Sequence, residues 1–327
     1  MTTLVTGATG FIGANVVRAL LDTGVSVRVL VRYGSDMRNL NGLPVEVVHG
    51  DIRATPSLRP ALAGCDTLYH VAAYYSLWAP FPEDMYTTNV LGTKNLFQAA
   101  LDVGLHKVVY TSSVATIGLP EDGTPGDESM FVAPEHAIGH YKRSKILAEQ
   151  AALAFCDQGL PVVVVNPAAP IGPWDIKPTP TGKIIVDFLQ HKMPAYVETG
   201  LNVVNVRDVA RGHLLAAQHG KVGERYILGC RNMSLRDILV LASDVSGVPA
   251  PRWRVPYRLA LALGYACAGM TYITGKPPLV PLDGVRMARR PMYFSAQKAI
   301  QELGLPQSPL DEAMRQAITW FREYDYV

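Results

Sequence analysis

Short apolar runs, mostly β-branched, alternate along the first half of the chain with stretches whose apolar residues recur every three or four positions. The runs at 4–6, 25–31, 45–48, 67–71, 107–110 and 160–166 read as buried strands. Between them, 14–21, 57–62, 89–103 and 141–155 read as helices; the first carries Val16, Val17, Leu20 and Leu21 on one face. Strand–helix alternation over this length predicts a doubly wound parallel sheet. After residue 166 the pattern changes. Five prolines between 167 and 181 predict a rigid loop, followed by a helix at 182–190, a strand at 202–206 and helices at 209–218 and 310–322.

The expected fold class is therefore α/β: a Rossmann-type doubly wound sheet with a smaller, mostly helical C-terminal substrate region. Residues 1–166 form the dinucleotide-binding domain, rejoined by 202–228; residues 167–201 and 229–327 form the substrate-binding region. In such a sheet ligands sit beyond the C-terminal ends of the strands. Gly7, Arg32, Asp51, Ala72, Ser113 and Asn166 all fall at such ends.

Gly7, Gly10 and Gly13 lie between the first strand and the first helix as GxxGxxG. Gly7 permits the tight turn, Gly10 lets the backbone approach a pyrophosphate, and Gly13 lets helix and strand pack closely. The helix N-terminus adds unpaired N–H groups and a positive dipole end. The second strand ends at Arg32. An acidic residue there would select NAD, and an arginine favours the 2′-phosphate of NADP, with Arg38 as a helper.

Tyr141 and Lys145 stand at i and i+4 on one helical face, 28 residues after the strand-end Ser113. A phenol near pKa 10 is a poor acid or base at neutrality, and a fixed ammonium lowers that value. The pair then moves a proton to or from an oxygen, which Ser113 helps to hold. Tyr75 and Trp78 face the expected cleft, with Lys183, Tyr196 and Asn205 as further lining candidates.

Composition narrows the picture. The chain is 49% hydrophobic and 18% charged with net charge +2, so no polyanion-binding signal exists and no nucleic-acid module appears. Its four cysteines, Cys65, Cys156, Cys230 and Cys267, have no metal-ligand spacing, which predicts reduced thiols and no metal. No basic flank and apolar stretch precede the first strand, so a cytoplasmic location is expected. Residues 252–290 hold seven basic residues and one acidic. They read as a solvated face, a diphosphate clamp, or a peripheral contact with a membrane through the apolar run 259–273.

The glycine turn, the strand-end Thr111-Ser112-Ser113 and the Tyr141/Lys145 pair, in this order and spacing, resemble the extended short-chain dehydrogenase/reductases. Stretches 75–80, 111–120, 139–145, 166–182 and 223–229 are similar to the dihydroflavonol 4-reductase-like branch, and more narrowly to the bacterial hopanoid-associated sugar epimerases. The resemblance implies Tyr141 as acid/base, Ser113 as catalytic serine, Lys145 on the nicotinamide ribose and Asn89 near the active site. It implies a cofactor surface including Thr9, Phe11, Ile12, Asp51, Ile52, Val71, Ala72, Ala73, Thr111, Asn166, Pro167 and Ala168. The expected enzyme is an NADP(H)-preferring reductase, NAD(H) being the second option. Its expected substrate is a carbonyl, polyol or sugar-like small molecule, lipid-linked in one version, and a homodimer is expected. The alternatives are an NAD-dependent sugar epimerase/dehydratase of hopanoid biosynthesis and a non-catalytic dinucleotide sensor, against which the Tyr/Lys pair argues.

Overall fold

A computed structural model describes residues 2–327, with all of their side chains except that of Tyr272. The first half builds β1 (Thr2–Thr6), α1 (Phe11–Asp22), β2 (Ser26–Val31), β3 (Val45–His49), α2 (Leu58–Leu62), β4 (Cys65–His70), α3 (Pro82–Tyr86), α4 (Gly92–Asp102), β5 (Lys107–Thr111), α5 (Gly139–Ala154) and β6 (Val162–Pro167). The second half adds β7 (Ala169–Ile171), α6 (Pro180–Leu189), β8 (Ala195–Val197), β9 (Gly200–Asn205), α7 (Val206–His219), β10 (Arg225–Leu228), β11 (Arg231–Ser234), α8 (Leu235–Ser246), β12 (Trp253–Val255), α9 (Tyr257–Thr274), α10 (Leu282–Met287), α11 (Gln297–Leu303) and α12 (Leu310–Glu323).

Seven strands form one wholly parallel sheet in the order β10-β6-β5-β4-β1-β2-β3. The fold is the expected Rossmann-like one. Central strands such as β6 are buried along their whole length, so an uninterrupted valine run suits them, whereas edge strand β3 has no fully buried residue. One face of the sheet packs on α1, α7 and α11 through Val16, Val209 and Ala299, and the other on α2, α4 and α5 through Leu58, Phe97 and Ala148. A third apolar cluster joins α6, α8 and α12 around Phe188, Ile238 and Trp320. It lies with the small sheet β11-β9-β7.

The differences from expectation have local causes. The helix expected over 89–103 begins with a turn of π-helix at Thr87–Leu91, which widens the helix where Asn89 turns its side chain inward. The proline loop contains β7, whose residues pair with β9. The four-residue strand β10 is too short to carry a periodicity, yet it closes the large sheet against β6.

Residues 112–138, between β5 and α5, are fastened by Arg225 of β10. Its guanidinium donates to the carbonyl oxygens of Glu128 (3.1 Å) and Thr116 (3.2 Å) and pairs with Glu149 at 3.1 Å. Both partners are at least 95% buried by side chain. Removing one member of such a pair leaves a charge without compensation. Arg225→Met is therefore expected to lower the unfolding free energy in urea by about 3–5 kcal/mol; a loss under about 1 kcal/mol would show that the pair holds nothing.

Candidate active site

Because all seven strands run parallel, their C-terminal ends share one edge. At that edge Gly7 adopts φ +70°, a left-handed conformation that side chains disfavour, and a Cβ there would lie 2.6 Å from the nitrogen of Ala72. A Cβ on Gly13 would lie 2.1 Å from the carbonyl oxygen of Gly7. Positions 7 and 13 are thus closed to any side chain, and α1 starts at Phe11 with no side-chain cap on its first N–H groups. An uncapped helix start behind bare backbone is a cradle for a pyrophosphate. Asn39 ties the rim of this cradle, donating to the carbonyls of Thr9 (3.1 Å) and Trp174 (3.0 Å). Asn15 binds the Pro173 carbonyl at 3.1 Å. Neither asparagine is visible as a motif, because both act across long sequence distances.

At the end of β2, Arg32 is exposed and forms no ion pair among the described residues, while the neighbouring Asp51 is held by Arg53 at 2.6 Å. That pairing keeps the Asp51 carboxyl below its ordinary range. Arg38 is engaged elsewhere: its guanidinium is bound to Asp36 at 2.7 Å. Ile52 is buried against Gly92, and the Ala72 N–H donates to the Thr6 hydroxyl oxygen at 3.2 Å.

The chemical centre lies on α5. Tyr141, Lys145 and Glu149 follow one another at four-residue intervals and so form one stripe. The Lys145 ammonium is buried and donates to the Thr111 carbonyl (2.8 Å) and the Tyr110 hydroxyl (3.3 Å). Burial lowers its pKa to about 8, opposed by the charge of Glu149. Glu149 accepts from Asn166 (2.8 Å) and Thr116 (2.9 Å). Asn166 also donates to the Ser113 carbonyl at 3.1 Å. The stripe thereby seats α5 on the ends of β5 and β6. Glu149 escaped the sequence reading, although its place four residues beyond Lys145 was the available signal.

Tyr141 is half-buried, with its ring 4.3 Å from that of Tyr75. Desolvation raises its pKa to about 12, and the nearby Ser113 side chain pulls it back. This corrects the expectation that the ammonium of Lys145 lowers it: Lys145 is spent on Tyr110 and Thr111, and burial wins. Asn89 holds the loop of Tyr75 in place, exchanging bonds with the Tyr74 backbone (2.7 and 3.0 Å) and donating to Ser144 (2.9 Å). Two expected lining residues are occupied elsewhere. Lys183 lies on the outside of α6 paired with Asp187 at 2.8 Å, and Asn205 caps α7 through the Arg207 nitrogen at 2.9 Å. Tyr196 packs against the third apolar cluster, and Trp78 is half-buried beside Ser76.

The model of the NAD dependent epimerase/dehydratase family matches residues 3–229. The chain belongs to this family. It is an NAD(P)-dependent enzyme of the extended short-chain dehydrogenase/reductase type. Family relatives align along nearly the whole chain. A Synechocystis protein named "Putative dihydroflavonol 4-reductase" is 51% identical, covering 99% of this chain and 95% of its own. The sterol demethylase protein B of Methylococcus capsulatus is 37% identical over 99% of both chains. The crystal structure of gox2253 superposes with a TM-score of 0.90 at 45% identity, covering 100% of this chain and 99% of the other.

One buried histidine under this family site sets a pH response. His70 bridges Thr6 (2.8 Å) and Thr93 (2.9 Å), and burial lowers its pKa to about 3. The unfolded chain, with a histidine near 6.5, takes up a proton that the folded chain refuses. Its stabilising contribution is present above about pH 6.5 and is lost as the pH falls toward 3, by at most about 1.4 kcal/mol per unit. In His70→Gln the slope of urea stability between about pH 6 and 4 should be shallower by close to one proton; identical slopes would place that proton elsewhere.

Proposed function

We propose that this chain is an NADPH-dependent reductase of an apolar carbonyl compound. The observation that carries the reading is the state of Tyr141. Burial keeps that phenol protonated at neutral pH, the form that can give up a proton, and the Ser113 side chain lies near enough to draw its pKa back down. The cofactor, when bound, supplies a hydride from nicotinamide C4. The bare backbone of Gly7, Gly10 and Gly13 receives its pyrophosphate, and Arg32 receives the 2′-phosphate without an acidic competitor of its own. Lys145 has two of its three N–H groups committed to the protein, which leaves one for a ribose hydroxyl. Ala72 and Ala73 would border the phosphate–ribose side, and Asn166 and Pro167 the nicotinamide.

Ser113 orients the substrate oxygen and Tyr141 delivers the proton to it. Tyr75, Leu77 and Trp78 offer aromatic and aliphatic surface to the substrate rather than charge. That surface, together with the 37% identity to a protein named as a sterol demethylase component, supports a fused-ring or similarly apolar substrate over a nucleotide-sugar.

Two measurements check this reading. In a carbonyl panel read by NADPH consumption, a fused-ring apolar ketone should turn over. Tyr141→Phe should lose at least about 100-fold in turnover with NADPH affinity kept; unchanged turnover would remove the phenol from the reaction. NADPH should bind more tightly than NADH by fluorescence titration, and Arg32→Asp should erase or reverse that preference. Equal affinities in the unsubstituted chain, or NAD retained through purification, would favour the epimerase reading instead.

A further inference from the structure

Helix α9 has no polar side. Beyond Arg258 it carries no charged residue through Thr274. One flank, with Ala260 and Gly264, turns toward α10; a Cβ on Gly264 would lie 3.3 Å from Leu282 and 3.5 Å from Val285. The opposite flank presents Leu259, Ala262, Leu263, Ala266, Gly269, Met270 and Ile273, spaced by three or four residues into one stripe, all of them exposed. Ile273 is 84% exposed, and Trp253 and Leu279 extend the apolar surface beyond both ends at 78% and 88%. A helix that is apolar all round belongs inside a core or against another apolar phase. No helix among the described residues is long and apolar enough to cross a membrane.

Charge names the occupant. Of the seven basic residues between 252 and 290, Arg254 pairs with Glu198 and Arg286 with Asp283. Arg252, Arg258, Lys276, Arg289 and Arg290 form no ion pair among the described residues. A second copy of the chain is a poor partner, since a two-fold contact sets the same patch against itself and brings these like charges together. An anionic surface with an apolar interior satisfies both features.

The patch also adjoins the site. Asp283 of α10 lies where a Cβ on Gly139, the first residue of α5, would meet its carboxylate at 2.5 Å, and Gly284 faces Leu77 at 3.6 Å from its own Cβ position. Helix α10, on which α9 packs, therefore borders the Tyr75 loop and the first turn of α5. We propose that α9 lies in the interface plane of an anionic phospholipid bilayer, apolar stripe inward and arginines at the headgroups, with the mouth of the active-site cleft held at the membrane surface.

The test sediments the full chain with vesicles of equimolar phosphatidylcholine and phosphatidylglycerol, and with phosphatidylcholine alone. Binding to the anionic vesicles is expected, at least about 10-fold weaker to the neutral ones, and weakened by added salt. The double variant Leu263→Glu/Ile273→Glu should lose at least about 10-fold in vesicle affinity, as should Arg252→Glu/Arg258→Glu. All of these side chains are exposed, so unchanged thermal melting and NADPH binding serve as folding checks. Tyr141→Phe should bind vesicles like the unsubstituted chain, which separates docking from the reaction proposed above. Absence of binding to anionic vesicles, equal binding by the double variants, or self-association abolished by Leu263→Glu/Ile273→Glu while vesicles stay bare would overturn the proposal.

Discussion

Two buried charges on one stripe of α5 hold the site together. Lys145 plugs into the carbonyl end of β5, and Glu149, four residues on, plugs into Asn166 at the end of β6. Burying either charge alone is costly; each is retained because it is met by hydrogen-bond partners, and Glu149 also by Arg225. The helix consequently has one rotation and one height relative to the sheet. Tyr141, one turn earlier on the same stripe, is carried by that rotation beside Tyr75 and toward Ser113. The Tyr141 phenol is thus positioned by buried groups behind it on the same helix.

The parallel sheet supplies the other half of the geometry. Every strand delivers its last residue to the same edge, so a glycine turn after β1, an arginine after β2, small residues after β4 and a serine after β5 converge without further contacts. Beneath them runs a line of neutral hydrogen bonds, Thr6 to His70 to Thr93 to the Asn89 carbonyl, which links the glycine turn to the π-helical turn. The same asparagine holds the Tyr75 loop. The glycine turn and the Tyr75 loop are therefore braced by one buried network rather than by two separate ones.

Much of this was legible in the sequence because it is local. The six strand runs, the GxxGxxG turn and the i, i+4 pair of Tyr141 and Lys145 each declare themselves within a few residues. The features that escaped depend on contacts between distant segments. β10 is only four residues long, and its membership of the sheet rests on pairing with Val164 to Pro167. The direction of the Tyr141 pKa was misjudged because proximity in sequence suggested that Lys145 serves the phenol, when packing turns its ammonium to Tyr110 and Thr111. Lys183 and Asn205 looked like lining residues, yet one is an outward ion pair and the other a helix cap. The apolar run at 259–273 was visible, but only the structure separates its packed flank from its open one.

A crystal structure of the chain with NADP+ and a non-reducible carbinol or ketone analogue tests the central claim most directly. The Tyr141 Oη and the Ser113 Oγ are both expected within about 3 Å of the same substrate oxygen, with the Lys145 and Glu149 contacts unchanged. A ligand oxygen held by other side chains, with the phenol turned away from the nicotinamide, would contradict it.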